Sequence, residues 1–332
     1  MEHGGDLSSL SLAACSKLID LSTGISPYPY PYHPILAKLD LTCLPQRAQM
    51  EGLVDAILTY LGNIPALSPA NIVLAGGTQS LISQLPYCIG AHSSLWIAAP
   101  SYQEHRKAWN MAGHHVYCRH DDLDKAANIA IINPDNPTGA ITSAAELHKL
   151  QDQARAAGGL LIIDEAFIDP HLDHSFISHA KRWDNLVILR SFGKFFGLGG
   201  VRLGFMICNP DLALKLNARL GTWAVSTAAL AIAKAAYQDT GWQHHMRAKL
   251  SHQTRLLRMM FQDKNIEIIG HTDLFVTIRH PQADALHQHL LSSGIYCRHF
   301  PISHNQDWSD GSWLRFGIPE SPAILHDLAG LL

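Results

Sequence analysis

The segment Ile129-Ala130-Ile131-Ile132-Asn133-Pro134-Asp135-Asn136-Pro137-Thr138-Gly139 joins a continuously apolar run to a short polar loop. An uninterrupted apolar run predicts a strand that is buried on both faces, as in parallel sheets covered by helices. The prolines make the loop rigid and hold Asn136 at the carboxyl end of the strand, where open α/β sheets bind ligands. A structural turn explains the prolines and Gly139 as well, but it does not explain a fixed Asn136.

Similar apolar runs on both sides of this segment alternate with helix-like stretches. They lie at 71–74, 95–98, 160–163, 186–189 and 203–207. This pattern predicts an α/β fold with a mainly parallel central sheet in a large domain. After about residue 236, a long polar helix and several short apolar runs predict a smaller α+β domain. We expect an amino-terminal arm at 1–35 that contributes to the small domain, a large domain at 36–235 and a small carboxyl-terminal domain at 236–332.

The composition is typical of a soluble globular protein. Hydrophobic residues make up 47% of the 332 residues, and charged residues make up 16%. The 25 Lys and Arg nearly balance the 28 Asp and Glu without any basic run, so nucleic acid is not an expected partner. No charged leader precedes an apolar stretch, and no uncharged apolar window reaches about 18 residues, so we expect a cytoplasmic protein that does not bind a membrane.

A metal site is not predicted, although the chain has 21 histidines. None of the histidine pairs has the spacing of H-E-x-x-H, and the six cysteines include no C-x-x-C pair. Surface or structural roles account for nearly all of these histidines.

A second loop, Ala75-Gly76-Gly77-Thr78-Gln79-Ser80, follows an apolar strand and precedes a helix-like segment. Small residues at this place let a phosphate approach backbone N–H groups, and the hydroxyl of Thr78 or Ser80 can donate a further hydrogen bond. An ordinary strand-to-helix turn with an N-cap would use the same residues.

The segment Ile162-Ile163-Asp164-Glu165-Ala166-Phe167 places a carboxylate at the carboxyl end of another buried strand. Two interpretations compete: an acid that holds magnesium beside a nucleotide, or an aspartate that pairs with a cationic ring nitrogen of a cofactor. The magnesium site would need the P-loop G-x-x-x-x-G-K-[ST], which the sequence lacks.

The segment from Arg190 to Gly204 reads R-S-F-G-K-F-F-G-L-G-G-V-R-L-G and contains Lys194. The Phe and Gly residues around this lysine predict partial desolvation, which lowers the pKa of the amine and makes it a nucleophile toward an aldehyde. Ser191 and Arg202 flank the lysine as candidate phosphate ligands. A lysine in a glycine-rich loop is usually just solvent-facing. A dinucleotide loop is a further alternative, but G-x-G-x-x-G does not match.

Together the four segments resemble the pyridoxal-phosphate (PLP)-dependent enzymes of fold type I. Aminotransferases of this family show N-P-x-N-P-T-G, then D-E-A-[FY], then S-x-x-K followed about eight residues later by Arg, and each spacing agrees here. The resemblance spans roughly 74–204 and implies pyridoxal 5'-phosphate as cofactor.

The resemblance also implies roles for individual residues. Lys194 would carry PLP as a Schiff base and Asp164 would pair with the ring nitrogen, and both are the expected catalytic residues. Asn136 would bond to the 3-oxygen of the ring, and Tyr102 would stack on the ring. The phosphate would be held by Gly77, Thr78, Ser191 and Arg202. Phe167 stands where many aminotransferases have Tyr, so one hydrogen bond to the 3-oxygen would be missing.

Two arginines near the carboxyl terminus are implied to bind substrate. Arg315, in Trp313-Leu314-Arg315-Phe316-Gly317, matches the family's arginine that clamps the substrate α-carboxylate. Arg298 matches an arginine of relatives that act on phosphorylated substrates, including histidinol-phosphate aminotransferase. Together they favour a small substrate with two anionic ends, although either arginine could instead form a surface salt bridge.

The amino terminus is similar to that of threonine-phosphate decarboxylases of cobalamin biosynthesis, which begin with H-G-G-[DN] and continue with D-x-S-x-x-[IL]-N-P. The matching segments here are His3 to Asp6 and Asp20 to Pro27, with Ser26 in place of Asn. By this resemblance His3 would help to hold the substrate phosphate, and Gly24 would lie near its carboxylate. The alternative is a disordered terminus.

The resemblance implies decarboxylation of L-threonine O-3-phosphate to (R)-1-amino-2-propanol phosphate in cobalamin biosynthesis. The alternative is an aminotransferase acting on a phosphorylated amino acid or amino alcohol, because the two reactions differ only in which Cα bond lies perpendicular to the ring. A non-catalytic protein of this fold is a third interpretation, which the intact Lys194 disfavours. A homodimer is also implied, although Leu44-Pro45 replaces the Tyr-Pro element whose tyrosine usually contacts the phosphate across the subunit interface.

Overall fold

The computed structural model describes residues 4–5, 7–8, 18–99, 101–301 and 312–332. The strands are β1 (Ile19–Leu21), β2 (Ile72–Ala75), β3 (Ser94–Ile97), β4 (His115–Tyr117), β5 (Asn128–Ile132), β6 (Leu161–Asp164), β7 (Leu186–Ser191), β8 (Gly204–Ile207), β9 (Glu267–Thr272), β10 (Phe275–Arg279), β11 (Ile295–Phe300) and β12 (Trp313–Gly317). The helices are α1 (His33–Leu36), α2 (Arg47–Tyr60), α3 (Thr78–Gln84), α4 (Gln103–Met111), α5 (Ala144–Ala156), α6 (Phe192–Phe195), α7 (Pro210–Leu220), α8 (Thr227–Gln238), α9 (Thr240–Asp263), α10 (Ala283–Ser292) and α11 (Pro322–Leu331).

Within these residues, a seven-stranded sheet has the order β2-β8-β7-β6-β5-β3-β4. The pairs from β7 to β4 are parallel, whereas β8 runs antiparallel to both of its neighbours. The predicted α/β fold with a mainly parallel central sheet is therefore confirmed. The apolar runs did not predict β4, a short edge strand in which the exposed His115 interrupts the apolar pattern.

Successive residues of the central strands face two helical layers in turn, as the pleat of a strand requires. Ile163 packs in the apolar cluster that includes α2 and α8, whereas Ile162 packs in the cluster that includes α3, α4 and α7. Both side chains are fully buried. Helices on both faces thus explain why β6 is apolar from Leu161 to Ile163.

The second sheet has the order β1-β11-β12-β10-β9, and only its β1–β11 pair is parallel among the described strands. Its apolar face packs against residues of α10 and α11, including Leu290 and Leu328. β1 comes from the amino-terminal segment, so this sheet joins the two ends of the sequence. The domain limits at 35 and 235 stay a prediction. No helix in the described part of the chain is both long enough and apolar enough to cross a membrane.

The large sheet determines where the motif residues lie. Because β5, β6 and β7 are parallel neighbours, their carboxyl ends meet at one edge of the sheet. The loop with Asn136 follows β5, Asp164 ends β6, and α6 with Lys194 follows β7 directly. Residues far apart in the sequence are thereby brought to one place.

Candidate active site

Lys194 lies on α6, a single helical turn that follows β7. Phe192 and Phe195 of this turn are fully buried. Gly193 packs so closely that a Cβ there would lie 2.8 Å from Gly199 Cα. Lys194 lines two cavities, of which the smaller also contains Asp164 and the larger contains Arg298 and Arg315. The residues that line both cavities are Tyr102, Asn136, Phe167 and Lys194.

The surroundings of Lys194 favour its neutral amine. Burial is the main reason why the pKa of Lys194 is lowered from 10.5 to about 8. The positive charges of Arg315 and Arg202 lower it as well, whereas the negative charge of Asp164 raises it. Lys194 Nζ lies 5.2 Å from the centre of the Phe167 ring, a cation–π contact that favours the ammonium form and opposes the effect of burial. A neutral amine is the form that attacks an aldehyde, so the site is suited to binding a cofactor covalently.

Asp164 is almost completely buried, and two donors hold its carboxylate. Nε2 of His105 lies 3.0 Å from Oδ2, and the backbone N–H of Ala166 donates to Oδ1 at 3.1 Å. His105 is buried too, and its Nδ1 has no hydrogen-bond partner among the described residues. A protonated Nδ1 would be a buried donor without an acceptor. A neutral ring that carries its proton on Nε2 therefore fits this contact best.

The role of His105 was not predicted from the sequence. Its partner Asp164 lies 59 residues further along the chain, and only the fold brings the two together. One local signal was available: His105 follows Tyr102 by three residues at the start of α4. Residues at that spacing share a helix face, and the two rings lie 6.3 Å apart.

Arg315 of β12 contacts the loop that follows β5. Its Nη1 donates to Oδ1 of Asn136, and its Nη2 donates to the carbonyl oxygen of Ser22 at 2.8 Å. The guanidinium is buried, and its Nε has no hydrogen-bond partner within the described part of the chain. Burial, together with the positive charge of Arg298, lowers the pKa of Arg315 to about 9. A buried guanidinium of this kind is suited to a carboxylate ligand.

The four predicted phosphate ligands lie close together. β2 and β8 are antiparallel neighbours, which brings Gly77 and Thr78 against Arg202. Gly77 has φ +89°, and a Cβ there would lie 2.6 Å from Nη2 of Arg202. A Cβ at Gly204 would lie 2.5 Å from the backbone nitrogen of Thr78. Ser191 is the cross-strand partner of Gly204. Glycine at these two positions thus lets Arg202 and the backbone of Thr78 pack closely together.

Tyr102 lies just before α4 at the boundary of both cavities. Its hydroxyl donates to Oε1 of Gln79 at 3.1 Å. Burial, together with the negative charges of Asp164 and Glu104, raises the pKa of Tyr102 to about 12. The phenol therefore stays neutral, and its ring offers an apolar face to a ligand.

The remaining predicted substrate residues differ in their relation to the larger cavity, which Arg298 lines and Gly24 does not. Arg298 lines it together with Arg315 and Gly4. The segment with Gly4 and Gly5 is held there because the N–H of Gly5 donates to the hydroxyl of Ser22 at 2.9 Å. Gly24 packs against Phe167, and a Cβ at this glycine would lie 2.6 Å from a ring carbon. The predicted His3 lies outside the described residues.

A buried ion network stabilises the strand ends that carry the site. Arg190 Nη1 lies 3.2 Å from Oε2 of Glu165, and Nη2 contacts Asp169. All three residues are at most 2% exposed. Glu165 follows Asp164 and Arg190 precedes Ser191 in the sequence, so this network fixes β6 relative to β7. Removing Arg190 would leave two buried carboxylates without their cation.

Comparison with known proteins identifies the family. The family model described as "Aminotransferase class I and II" matches residues 45–324. The chain is 34% identical to a threonine-phosphate decarboxylase of Sinorhizobium sp., covering 99% of this chain and 97% of that protein. The chain belongs to the aminotransferase class I and II family. It is also 32% identical to a threonine-phosphate decarboxylase of Pseudomonas aeruginosa, covering 97% of this chain and 94% of that protein.

The fold of this family member is shared with solved enzymes. A histidinol-phosphate aminotransferase from Sinorhizobium meliloti, solved in complex with pyridoxal-5'-phosphate, matches with a TM-score of 0.80. The sequence identity is 21%, and the match covers 93% of this chain and 88% of that chain. The predicted resemblance to PLP-dependent enzymes of fold type I is therefore confirmed.

The predicted cofactor, PLP, is confirmed by the family, and the site is chemically suited to it. Lys194 offers an amine with a lowered pKa, and Asp164 offers a buried carboxylate for a ring nitrogen. Gly77 leaves free the space next to the Arg202 guanidinium that a Cβ would fill. Among the described residues, no group of three or more His, Cys, Asp and Glu could hold a metal ion.

Proposed function

We propose that the protein is a PLP-dependent decarboxylase that converts L-threonine O-3-phosphate to (R)-1-amino-2-propanol phosphate. The observation that carries this proposal is the similarity, over nearly the whole chain, to two threonine-phosphate decarboxylases. Two cationic side chains in one cavity with Lys194 support it, because the substrate has a carboxylate and a phosphate. We extend the proposal to a cytoplasmic role in cobalamin biosynthesis, as the resemblance of the amino terminus implies.

The motif residues would hold the cofactor in the smaller cavity. Lys194 would bind PLP covalently, Asp164 would pair with the ring nitrogen, and Asn136 would donate to the 3-oxygen. The other cofactor contacts would come from Gly77, Thr78, Tyr102, Ser191 and Arg202. Bound at Lys194, PLP supplies an electron sink for the electron pair released when a bond to the substrate α-carbon breaks.

Asp164 and His105 would act as a unit on the cofactor ring. An anionic Asp164 would hold a proton at the ring nitrogen. The donor on His105 Nε2 keeps the carboxylate oriented at 3.0 Å. In this arrangement Asp164 is the catalytic residue and His105 is a positioning residue.

Arg315 would bind the α-carboxylate of the substrate, and Arg298 with His3 would bind its phosphate. Arg315 is oriented by Asn136 and by a backbone carbonyl, so its direction is set before substrate arrives. Such preorganisation fixes which substituent of the α-carbon is placed for cleavage.

Lys194, released from the cofactor when substrate binds, would supply the proton that replaces the carboxylate. The bond between the α-carbon and the carboxylate breaks, CO2 leaves, and a proton from Lys194 forms the new C–H bond. The pKa of Lys194, lowered to about 8, suits an amine that must both accept and donate a proton near neutral pH. An aminotransferase would use the same lysine to move a proton away from the α-carbon, and this is the alternative function.

We also propose that the protein is a homodimer. Leu41, Leu44 and Trp223 are large apolar side chains that are 65%, 57% and 54% exposed in the single chain. Cys43, between the two leucines, accepts a hydrogen bond from the hydroxyl of Thr227 through its carbonyl oxygen, so the loop with the leucines lies near the start of α8. Exposed apolar side chains of this size favour coverage by a second copy.

The experiment is an assay of the PLP-loaded protein with L-threonine O-3-phosphate, with and without a keto acid. We expect equimolar CO2 and amine without any keto acid. Lys194→Ala should abolish both, whereas Lys149→Ala, at a side chain that is 77% exposed, should leave them unchanged. If nothing forms until a keto acid is added and the amino group is then transferred to it, the protein is an aminotransferase.

A further inference from the structure

Thr277 of β10 connects the small sheet to the loop that carries Asn136. Its side chain is fully buried, and its hydroxyl donates to the carbonyl oxygen of Pro137 at 2.5 Å. No sequence pattern indicates this role, because Thr277 stands in an ordinary strand pattern, F-V-T-I-R. A buried hydroxyl with a short hydrogen bond is a fixed contact between the small sheet and the loop that follows β5.

The register of the small sheet places Thr277 directly beside Arg315. β10 and β12 are antiparallel, and the two residues are cross-strand partners. The side chains of such a pair project from the same face of a sheet. Thr277 reaches Pro137, and Arg315 reaches Asn136, the residue before it. Two neighbouring side chains of the small sheet thus hold two consecutive residues, Asn136 and Pro137, of the loop that follows β5.

The backbone of β9 lies against the same loop and leaves no space for side chains in between. A Cβ at Gly270 would lie 2.0 Å from the carbonyl oxygen of Thr138. A Cβ at Gly139, which has φ +73°, would lie 2.3 Å from the carbonyl oxygen of His271. Gly270 is the cross-strand partner of Thr277 on its other side. The loop is therefore seated directly on the sheet at the level of Thr277.

The contact with Arg315 determines which way the Asn136 amide faces. An asparagine accepts through Oδ1 and donates through Nδ2, whereas a guanidinium only donates. Oδ1 must therefore face Arg315, and Nδ2 points away from it. Asn136 also lines the cavity that contains Lys194 and Asp164. A small rotation of the loop would thus disturb the contact with the arginine and the contact with a cofactor oxygen together.

We propose that Thr277 is a positioning residue that fixes Asn136 and Arg315 relative to each other. By holding Pro137, it keeps Oδ1 of Asn136 on Arg315 and Nδ2 of Asn136 toward the cofactor. The inference deepens the proposed function, on which it rests for the statement that Arg315 binds the substrate carboxylate. Loss of the hydroxyl should affect both carboxylate binding and the ionisation of the bound cofactor, although Thr277 touches neither.

The test compares Thr277→Val, which removes the hydroxyl at nearly constant shape, with Thr277→Ser, which keeps it. The matched control is Thr254→Val in α9, because Thr254 is equally buried and its hydroxyl has no partner among the described residues. Three quantities are measured on the PLP-loaded proteins. They are the pH midpoint of the visible absorbance without substrate, the KM and kcat for L-threonine O-3-phosphate, and the inhibition constant of 1-amino-2-propanol phosphate, which lacks the carboxylate.

For Thr277→Val we expect the absorbance midpoint to rise by about half a pH unit. Weaker donation from Asn136 leaves more negative charge on the ring oxygen, and this charge stabilises the protonated form of the lysine-linked cofactor. KM should rise by about five- to tenfold, whereas the inhibition constant of the carboxylate-free product should stay within about twofold. Thr277→Ser and Thr254→Val should match the wild type in all three quantities.

An absorbance midpoint and a KM for Thr277→Val that equal the wild-type values would overturn the proposal. If Thr277→Val does not fold, Thr277→Ser and Thr277→Ala are compared, because their side chains differ only by the hydroxyl. An absorbance midpoint and a KM that are equal in these two variants would overturn the proposal as well. If the wild type releases no CO2, the proposed function is wrong. The absorbance midpoint still decides the role of Thr277 in that case, because it requires no turnover.

Discussion

The apoprotein is expected to take up PLP at a rate that follows the ionisation of Lys194. Only the neutral amine attacks the aldehyde, so the rate should rise with pH and level off above the pKa of this lysine. That pKa is lowered from 10.5 to about 8, chiefly by burial. At about pH 7, the shift makes the neutral fraction about 300-fold larger than that of an ordinary lysine.

Two substitutions should move the midpoint of this pH dependence in opposite directions. Arg315→Gln removes a positive charge that repels the ammonium form, so the pKa of Lys194 should rise. Asp164→Asn removes a negative charge that stabilises the ammonium form, so the pKa should fall. Burial, the largest cause, is retained in both variants, so each shift should be about 0.5 to 1 unit.

The assay mixes apoprotein with PLP between about pH 6 and pH 10 and follows the visible absorbance of the lysine-bound cofactor. Lys149→Ala, at an exposed lysine, is the control and should behave as the wild type. A wild-type rate that still rises at pH 10 without levelling off would refute the reasoning, because that is the behaviour of a lysine with its ordinary pKa of 10.5. A shift of both variants in the same direction would refute the assigned electrostatic causes.

Two further predictions concern cofactor affinity, measured by titrating apoprotein with PLP. Gly77→Ala puts a Cβ 2.6 Å from Nη2 of Arg202 at a left-handed φ, so we expect PLP to bind about tenfold more weakly or worse. The control is Gly200→Ala, whose Cβ lies in open space and should leave the affinity unchanged. Equal affinities of the two variants would contradict the close packing at Gly77. His105→Phe removes a donor to Asp164 and should weaken the binding of PLP by about tenfold. His105→Gln can still donate and should bind PLP more tightly than His105→Phe. Wild-type affinity in His105→Phe would show that the contact is dispensable.

The central sheet could be predicted from the sequence because buried parallel strands read as continuous apolar runs. β6 and β7 are of this kind, and every residue of both is buried. Short strands that lack such a run could not be predicted in this way. β1 has only three residues and pairs with β11 almost at the other end of the chain.

The motif residues could be predicted because each stands at a fixed place relative to a strand end. Asp164 ends β6, whereas Asn136 and Lys194 follow the adjacent strands β5 and β7, so all three meet at one edge of the sheet. His105 and Thr277 could not be predicted, because their roles depend on contacts across the fold. Thr277 lies 140 residues from the carbonyl group that it holds.

The most direct test of the account is the product formed from L-threonine O-3-phosphate in D2O without a keto acid. Replacement of the carboxylate by one solvent proton predicts 1-amino-2-propanol phosphate with a single deuterium on the carbon that carries nitrogen, formed in equal amount with CO2. Mass spectrometry measures both the product and its deuterium content. A product that retains the carboxylate as a keto acid, with no CO2 released, would contradict the account.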